Sequence, residues 1–186
     1  MAALRRLAVF IAALTFGGTA MAADLENTIY MDVPAGRVVI EMRPDLAPQT
    51  CAQIKALARR GFYDGIVFHR VIDGFMAQTG DPTGTGMGDS GHSLKAEFSN
   101  EKHVRGVVSM ARASDPNSAD SQFFIMLGDA PFLDGKYTIW GKVVSGMEYV
   151  DKIKKGDKAK NGTVTDPDKI VKMQVAADSE KADKKS

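Results

Sequence analysis

An arginine set among large apolar residues, Phe68-His69-Arg70-Val71-Ile72, is followed at once by the turn dipeptide Asp73-Gly74 and by Phe75-Met76-Ala77-Gln78-Thr79-Gly80-Asp81. The β-branched and aromatic run from Ile66 to Ile72 and the Asp-Gly step read as a β-hairpin. Side chains alternate across a strand, so Phe68, Arg70 and Ile72 are expected on one face and Val67, His69 and Val71 on the other. Burying a guanidinium costs several kcal/mol unless it is paired, so Arg70 is solvated, neutralised or kept for a task. A two-residue loop places Arg70 opposite Ala77. A three-residue loop with Gly74 left-handed places Arg70 opposite Gln78 and Ile72 opposite Met76. Propensity leaves both registers open.

The N-terminus reads as an export signal. Arg5 and Arg6 form a charged start, Leu7 to Phe16 is a short apolar run, and Ala20-Met21-Ala22 is a small-x-small cleavage site. The domain reading is a signal peptide over 1–22, one folded domain over 23–177, and a disordered polar tail over 178–186. The apolar run is too short to span a bilayer comfortably. The single cysteine, Cys51, is not placed to carry a lipid anchor after cleavage, so no membrane attachment is expected in the mature protein. Cys51 falls on the apolar side of a helix and reads as a small core residue. The whole chain has 24 basic and 23 acidic residues; residues 1–22 hold two arginines and no acid, which leaves 22 and 23. That near-neutral balance gives no field to attract nucleic acid.

Thr28–Val33 and Gly36–Met42 alternate as two strands, and Pro48 opens a helix to about Arg60 with Cys51, Ile54, Leu57 and Ala58 on one face. Gly106–Ala111 and Gln122–Leu127 are apolar strands, residues 146–155 a short helix, and Ile170–Val175 a last strand. Gly86 to Gly91 matches G-x-G-x-x-G, but no helix pattern follows, so a mobile surface loop is expected instead of a dinucleotide site. His69, His92 and His103 lack metal-ligand spacing, and no G-x-S-x-G elbow is present. No metal or cofactor is expected, and His69 reads as a satisfied structural histidine.

The segment FHRVIDGFMAQTGD, with S-M-A at 109–111, S-Q-F-F-I at 121–125 and L-D-G-K at 133–136, resembles the cyclophilin peptidyl-prolyl isomerases over roughly Thr28 to Val175. The resemblance implies an all-β fold, a closed eight-stranded antiparallel β-barrel with two capping helices, and it favours the register that pairs Arg70 with Gln78. It implies catalytic roles for Arg70 and Gln78 and a proline pocket of Phe75, Met76, Phe124 and Leu133. Gly84, Ala111, Arg112, Ala113, Gln122, Phe132 and Tyr137 would complete the substrate groove. Phe123 would point inside.

The family usually carries Asn where this chain has Arg112, and the loop from Ala113 to Asn117 looks one residue longer. Phe132 replaces a common Trp and Tyr137 a common His. A weak preference for acidic residues near the proline and weak binding of cyclosporin are the expected consequences. The expected partners are proline-containing unfolded or partly folded proteins, met by a monomer in the periplasm if the source is a Gram-negative bacterium. A non-catalytic module or holdase that grips proline segments is the competing class. The export reading is checked by mass spectrometry of protein recovered from cells: the mature N-terminus should be Ala23, and an intact Met1 would contradict it.

Overall fold

The structure is a computed structural model that describes residues 24–183, with side-chain environments to residue 179; the expected signal segment lies outside these residues. Eight strands form one antiparallel sheet: β1 Thr28–Val33, β2 Gly36–Met42, β3 Arg70–Ile72, β4 Met76–Thr79, β5 Val107–Met110, β6 Phe123–Met126, β7 Ile139–Ser145 and β8 Lys172–Val175. Their spatial order is β3-β4-β6-β5-β7-β2-β1-β8. Three helices accompany them: α1 Pro48–Arg59, α2 Met147–Asp151 and α3 Ala176–Asp183. None of the helices is long and apolar enough to cross a membrane among the described residues.

The barrel expected to be closed is open between β3 and β8. Irregular backbone bridges that seam, with Phe68 N–H donating to Asp168 O at 2.8 Å, Val71 N–H to Gly162 O at 2.8 Å and Val164 N–H to His69 O at 3.1 Å. Asn161 and Asp166 hold positive φ angles of 54° and 52° there, and Pro167 has no N–H to give, so the segment cannot run as a regular strand. The same seam corrects the expected alternation. Phe68 lies before β3, outside its ladder, and is fully buried in the main core with Val71 instead of sharing a face with Arg70.

The central strands are covered on both faces, which explains why they read as continuous apolar runs. In β6, Phe123 and Ile125 enter the main core while Phe124 and Met126 join a second cluster with Met76, Val107, Leu133 and Ile139. Phe123 packs edge-on against Tyr63 and Trp140. Helix α1 buries Cys51, Ile54, Leu57 and Ala58 against the main core, and burial pushes the Cys51 thiol up to about 11. β7 carries no clean alternation in the sequence and was not expected as a strand; both Ile139 and Trp140 are buried.

The last helix extends into the segment read from the sequence as a polar tail. Helix α3 covers Ala176–Asp183, and Arg59 joins Asp178 at 2.8 Å and Glu26 at 2.8 Å, tying the helix to α1 and the first strand's lead-in.

Two glycines separate backbone strain from steric exclusion. Gly74 has φ +72° with open space where a Cβ would sit, whereas Gly80 has φ +88° and a Cβ would run into the Ser121 carbonyl and the Gln122 Cα. Gly74→Ala should cost only the left-handed backbone term of about 1–2 kcal/mol, and Gly80→Ala should cost clearly more because β4 and β6 must part. Urea denaturation of the two variants checks this; equal losses would contradict the packing at Gly80.

Candidate functional site

The hairpin takes the three-residue loop. Arg70 pairs with Gln78 and Ile72 with Met76, and Phe75 N–H closes the turn on Ile72 O at 3.0 Å. Arg70 is half-buried, and among the described residues no carboxylate lies within ion-pair distance of it. Its guanidinium is held by neutral oxygens. Nε–H donates to Asn161 O at 3.0 Å, one terminal nitrogen to Asn161 Oδ1 at 3.0 Å, and the other to Gln78 Oε1 at 3.2 Å. Burial lowers its pKa from the usual arginine range, and an arginine stays charged near neutrality all the same. A guanidinium has five N–H donors, so two remain beyond these three bonds.

The sequence reading missed Asn161. The Asn161-Gly162 dipeptide is a turn signal, but nothing local indicates that the turn closes on Arg70 across 91 positions. Its left-handed φ turns both the carbonyl and the side-chain oxygen of one residue toward the same cation.

An amide relay fixes the orientation of Gln78. Gln122 Nε2 donates to Gly86 O at 3.1 Å and Gly88 O at 2.8 Å, so its Oε1 is turned toward Gln78 Nε2, 3.0 Å away. Gln78 Oε1 must then face Arg70. Two glutamines thereby carry one polarity from a loop to the cation, with no proton to gain or lose.

Beside this chain lies a cavity of about 120 Å³ lined by Arg70, Phe75, Met76, Gln78, Ala111, Arg112, Phe124, Leu133 and Tyr137. A neighbouring cavity of about 300 Å³ shares Gln78, Ala111 and Arg112 and adds Gly86, Met87, Ala113 and Gln122. The two make one elongated groove with an apolar end. Phe132 lies outside both linings; it is 61% exposed and packs against Phe75 at 5.6 Å on the rim. Gly84 is absent from both linings and sits against Val67. Arg112 lines both cavities, yet its guanidinium donates to the backbone carbonyls of Lys136, Ala113 and Ser114. An acid-seeking role for Arg112 is therefore not what its bonding favours.

The loop that carries Gly86 is tied down, contrary to the expected mobile one. Burial pushes the Asp81 carboxyl up, but hydrogen bonds from Thr83 and from the Gly86 and Gly88 backbone outweigh it and bring its pKa to about 2. Asp120 accepts from the backbone N–H of Ser90 at 2.8 Å and of His92 at 2.6 Å. The glycines at 86–91 precede no helix, as a dinucleotide site would require.

A serine, a histidine and an acid do line up behind the cavity. His103 Nδ1 is 3.2 Å from Asp134 Oδ1 and Nε2 is 3.2 Å from Ser109 Oγ. Ser109 is fully buried and its hydroxyl donates to Thr138 O at 2.9 Å, so it is no nucleophile. The set instead supports the wall: the His103 ring stacks behind Phe124 at 6.3 Å. His69 is a correction of another kind. It is buried, but neither ring nitrogen has a partner in hydrogen-bonding geometry, because residues 67–69 leave the β3 ladder.

The family model described as cyclophilin type peptidyl-prolyl cis-trans isomerase/CLD matches residues 28–175. A probable peptidyl-prolyl cis-trans isomerase of Brucella suis is 55% identical, over 92% of this chain and 94% of its own length. The human peptidyl-prolyl cis-trans isomerase-like 3 is 47% identical, over 69% of this chain and 81% of its own. Among solved structures, a cyclophilin from Hirschia baltica superposes with a TM-score of 0.74 at 30% identity, covering 83% of this chain and 76% of that one. A cyclophilin type isomerase from Cryptosporidium parvum, solved in the presence of the dipeptide Ala-Pro, gives 0.73 at 33% identity, covering 80% and 98%.

The two buried histidines set a pH limit on stability. Burial lowers the pKa of His69 against the pull of Asp81, and lowers that of His103 against its bond to Asp134. In the unfolded chain both take up protons near pH 6.5, so below that pH the unfolded state binds more protons than the folded one. Their contribution is fully present above about pH 6.5 and is lost as pH falls toward the lowered folded values. Urea unfolding at pH 7.5 and 5.5 should show lower stability at 5.5; equal stabilities would contradict neutral, buried rings.

Proposed function

This chain belongs to the cyclophilin-type peptidyl-prolyl cis-trans isomerase family, and on that premise we propose that Arg70 speeds rotation about X-Pro bonds by stabilising the twisted amide without any covalent step. One observation carries the reading: a guanidinium with no carboxylate partner among the described residues lines a cavity beside the apolar side chains of Phe75, Met76, Phe124 and Leu133. Rotation costs about 18–20 kcal/mol because amide resonance is lost. In the twisted amide the prolyl nitrogen regains a lone pair. A donor aimed at that nitrogen binds it more strongly than in the planar ground state, and only such differential binding lowers the barrier.

The surrounding residues take supporting roles. Phe75, Met76, Phe124 and Leu133 offer the proline ring an apolar seat, with Ala111 and Tyr137 along its side. Gln78 steadies Arg70 and has a second amide N–H for the rotating carbonyl. Asn161 acts as a positioning residue, since its two oxygens fix the plane of the guanidinium before substrate arrives. The Ala-Pro dipeptide in the Cryptosporidium parvum structure supports proline-containing peptides as the ligand class.

The clients would be exported proteins with exposed proline segments, met by a monomer in the periplasm after removal of residues 1–22. The motivation is the Arg5-Arg6, Leu7–Phe16 and Ala20-Met21-Ala22 pattern. Cyclosporin would bind weakly, because Phe132 offers no N–H donor at the rim.

Peptide isomerisation assays of Arg70 variants test the reading. Arg70→Ala should lose about 10²–10³-fold in turnover. Arg70→Lys should lose nearly as much, because an ammonium cannot reach both Asn161 oxygens and Gln78 at once. Asn161→Ala should lose on the order of tenfold, within the range a misplacement of about 1 Å causes. Full activity in a folded Arg70→Lys protein would contradict the assignment, and proline-peptide binding with no acceleration in the wild type would favour the holdase class.

A further inference from the structure

The groove has two walls that come from separate parts of the chain. One is the loop that follows β5, from Ala111 to Asn117, and the other is the turn from Leu133 to Tyr137 that precedes β7. We infer that Arg112 is a positioning residue that staples these walls together and holds the Tyr137 ring against the proline seat, so that it sets groove width for every peptide. This rests on the site reading above.

Four donations of one guanidinium carry the inference. Nε–H and one terminal nitrogen both donate to Lys136 O, at 3.2 and 3.0 Å, on the far wall. The other terminal nitrogen donates to Ala113 O at 2.9 Å and Ser114 O at 3.3 Å, on its own wall. The same group lies 4.6 Å over the Tyr137 ring, and that ring meets Phe124 edge-on at 5.9 Å. Only a planar fork can bond carbonyls on two loops while stacking on an aromatic face.

Each anchor is itself held. Lys136 N–H bonds to Leu133 O at 3.0 Å, and Ala113 N–H bonds to Ser118 Oγ at 2.9 Å, whose hydroxyl donates to Asp115 O at 2.6 Å. Removing the fork frees Tyr137 and lets two otherwise ordered loops drift apart. The substrate then meets a looser seat, while Arg70, anchored through Asn161 and Gln78, keeps its place.

Kinetics on X-Ala-Pro peptides with X as Glu, Ala or Lys test this against charge recognition. Arg112→Ala should raise KM about tenfold for all three peptides, at low and high salt, with kcat within about threefold of wild type. Arg112→Lys should recover only part of that. Tyr137→Leu should also raise KM, and the double variant should fall short of the product of the single effects, since the Arg112–Tyr137 ring contact is lost in each. If Arg112→Ala fails to fold, Arg112→Gln, which retains one donor for the near wall, serves in its place with the same expected rise.

A KM change confined to the Glu peptide and fading with salt would overturn the inference, as would an unchanged KM or additive effects with Tyr137→Leu. Arg70→Ala measured alongside separates the two claims. An inactive Arg70→Ala with wild-type KM in Arg112→Ala defeats only the staple, whereas an active Arg70→Ala defeats the site reading itself.

Discussion

A half-buried cation held by neutral oxygens is the interaction on which the rest of this structure depends. Pairing Arg70 with a carboxylate would satisfy it more cheaply but would also quench the field it directs into the cavity. Amide oxygens orient the guanidinium and leave its charge available. The orientation requires the three-residue turn at Asp73-Gly74-Phe75, which sets Gln78 opposite Arg70. It also requires the left-handed turn at Asn161, brought in from the other side of the seam.

The sheet makes this arrangement rigid. Strands β4, β6 and β5 are buried on both faces, so each alternate side chain has a fixed destination. Phe123 and Ala77 face the main core, and Phe124 and Met76 back the cavity. A one-residue slip of β6 would exchange Phe124 for Phe123 and open the main core, a cost of several kcal/mol. The open seam between β3 and β8 is where the regular ladder gives way, and the irregular backbone there is what allows Asn161 to reach Arg70. Behind the wall, buried His103 and Ser109 bond one another and the partly exposed Asp134 bonds the His103 ring and backbone, so polar groups support the apolar face from behind.

Much of this was legible in the residues. The strands over 28–33 and 36–42, helix α1, and the opposite fates of Phe123 and Phe124 follow from alternation and helical spacing. The pairing of Arg70 with Gln78 needed the family resemblance to choose between two turns that local chemistry allows equally. Other features were hidden because their causes are distant in sequence. Asn161 is 91 positions from Arg70, Asp178 of α3 pairs with Arg59 of α1, and Phe68 turns inward because residues 162–170 draw its strand away from the ladder. At Arg112 charge and geometry point to different roles: its charge suggested recognition of acids, whereas its guanidinium donates to carbonyls. His69 read as satisfied from its place on the face opposite Arg70, yet neither ring nitrogen has a hydrogen-bond partner.

The central claim is that catalysis rests on a permanently charged donor and involves no proton transfer. Arg70, Gln78 and Asn161 have no titration between pH 6 and 8, and burial lowers the pKa of the nearby His69 and His103. The direct measurement is kcat/KM for a short Ala-Pro peptide across that interval, followed by exchange spectroscopy that needs no coupled protease. The account predicts a flat profile, within about twofold from end to end. A bell-shaped or steeply sloping profile would place a titrating acid or base in the rate-determining step and contradict it.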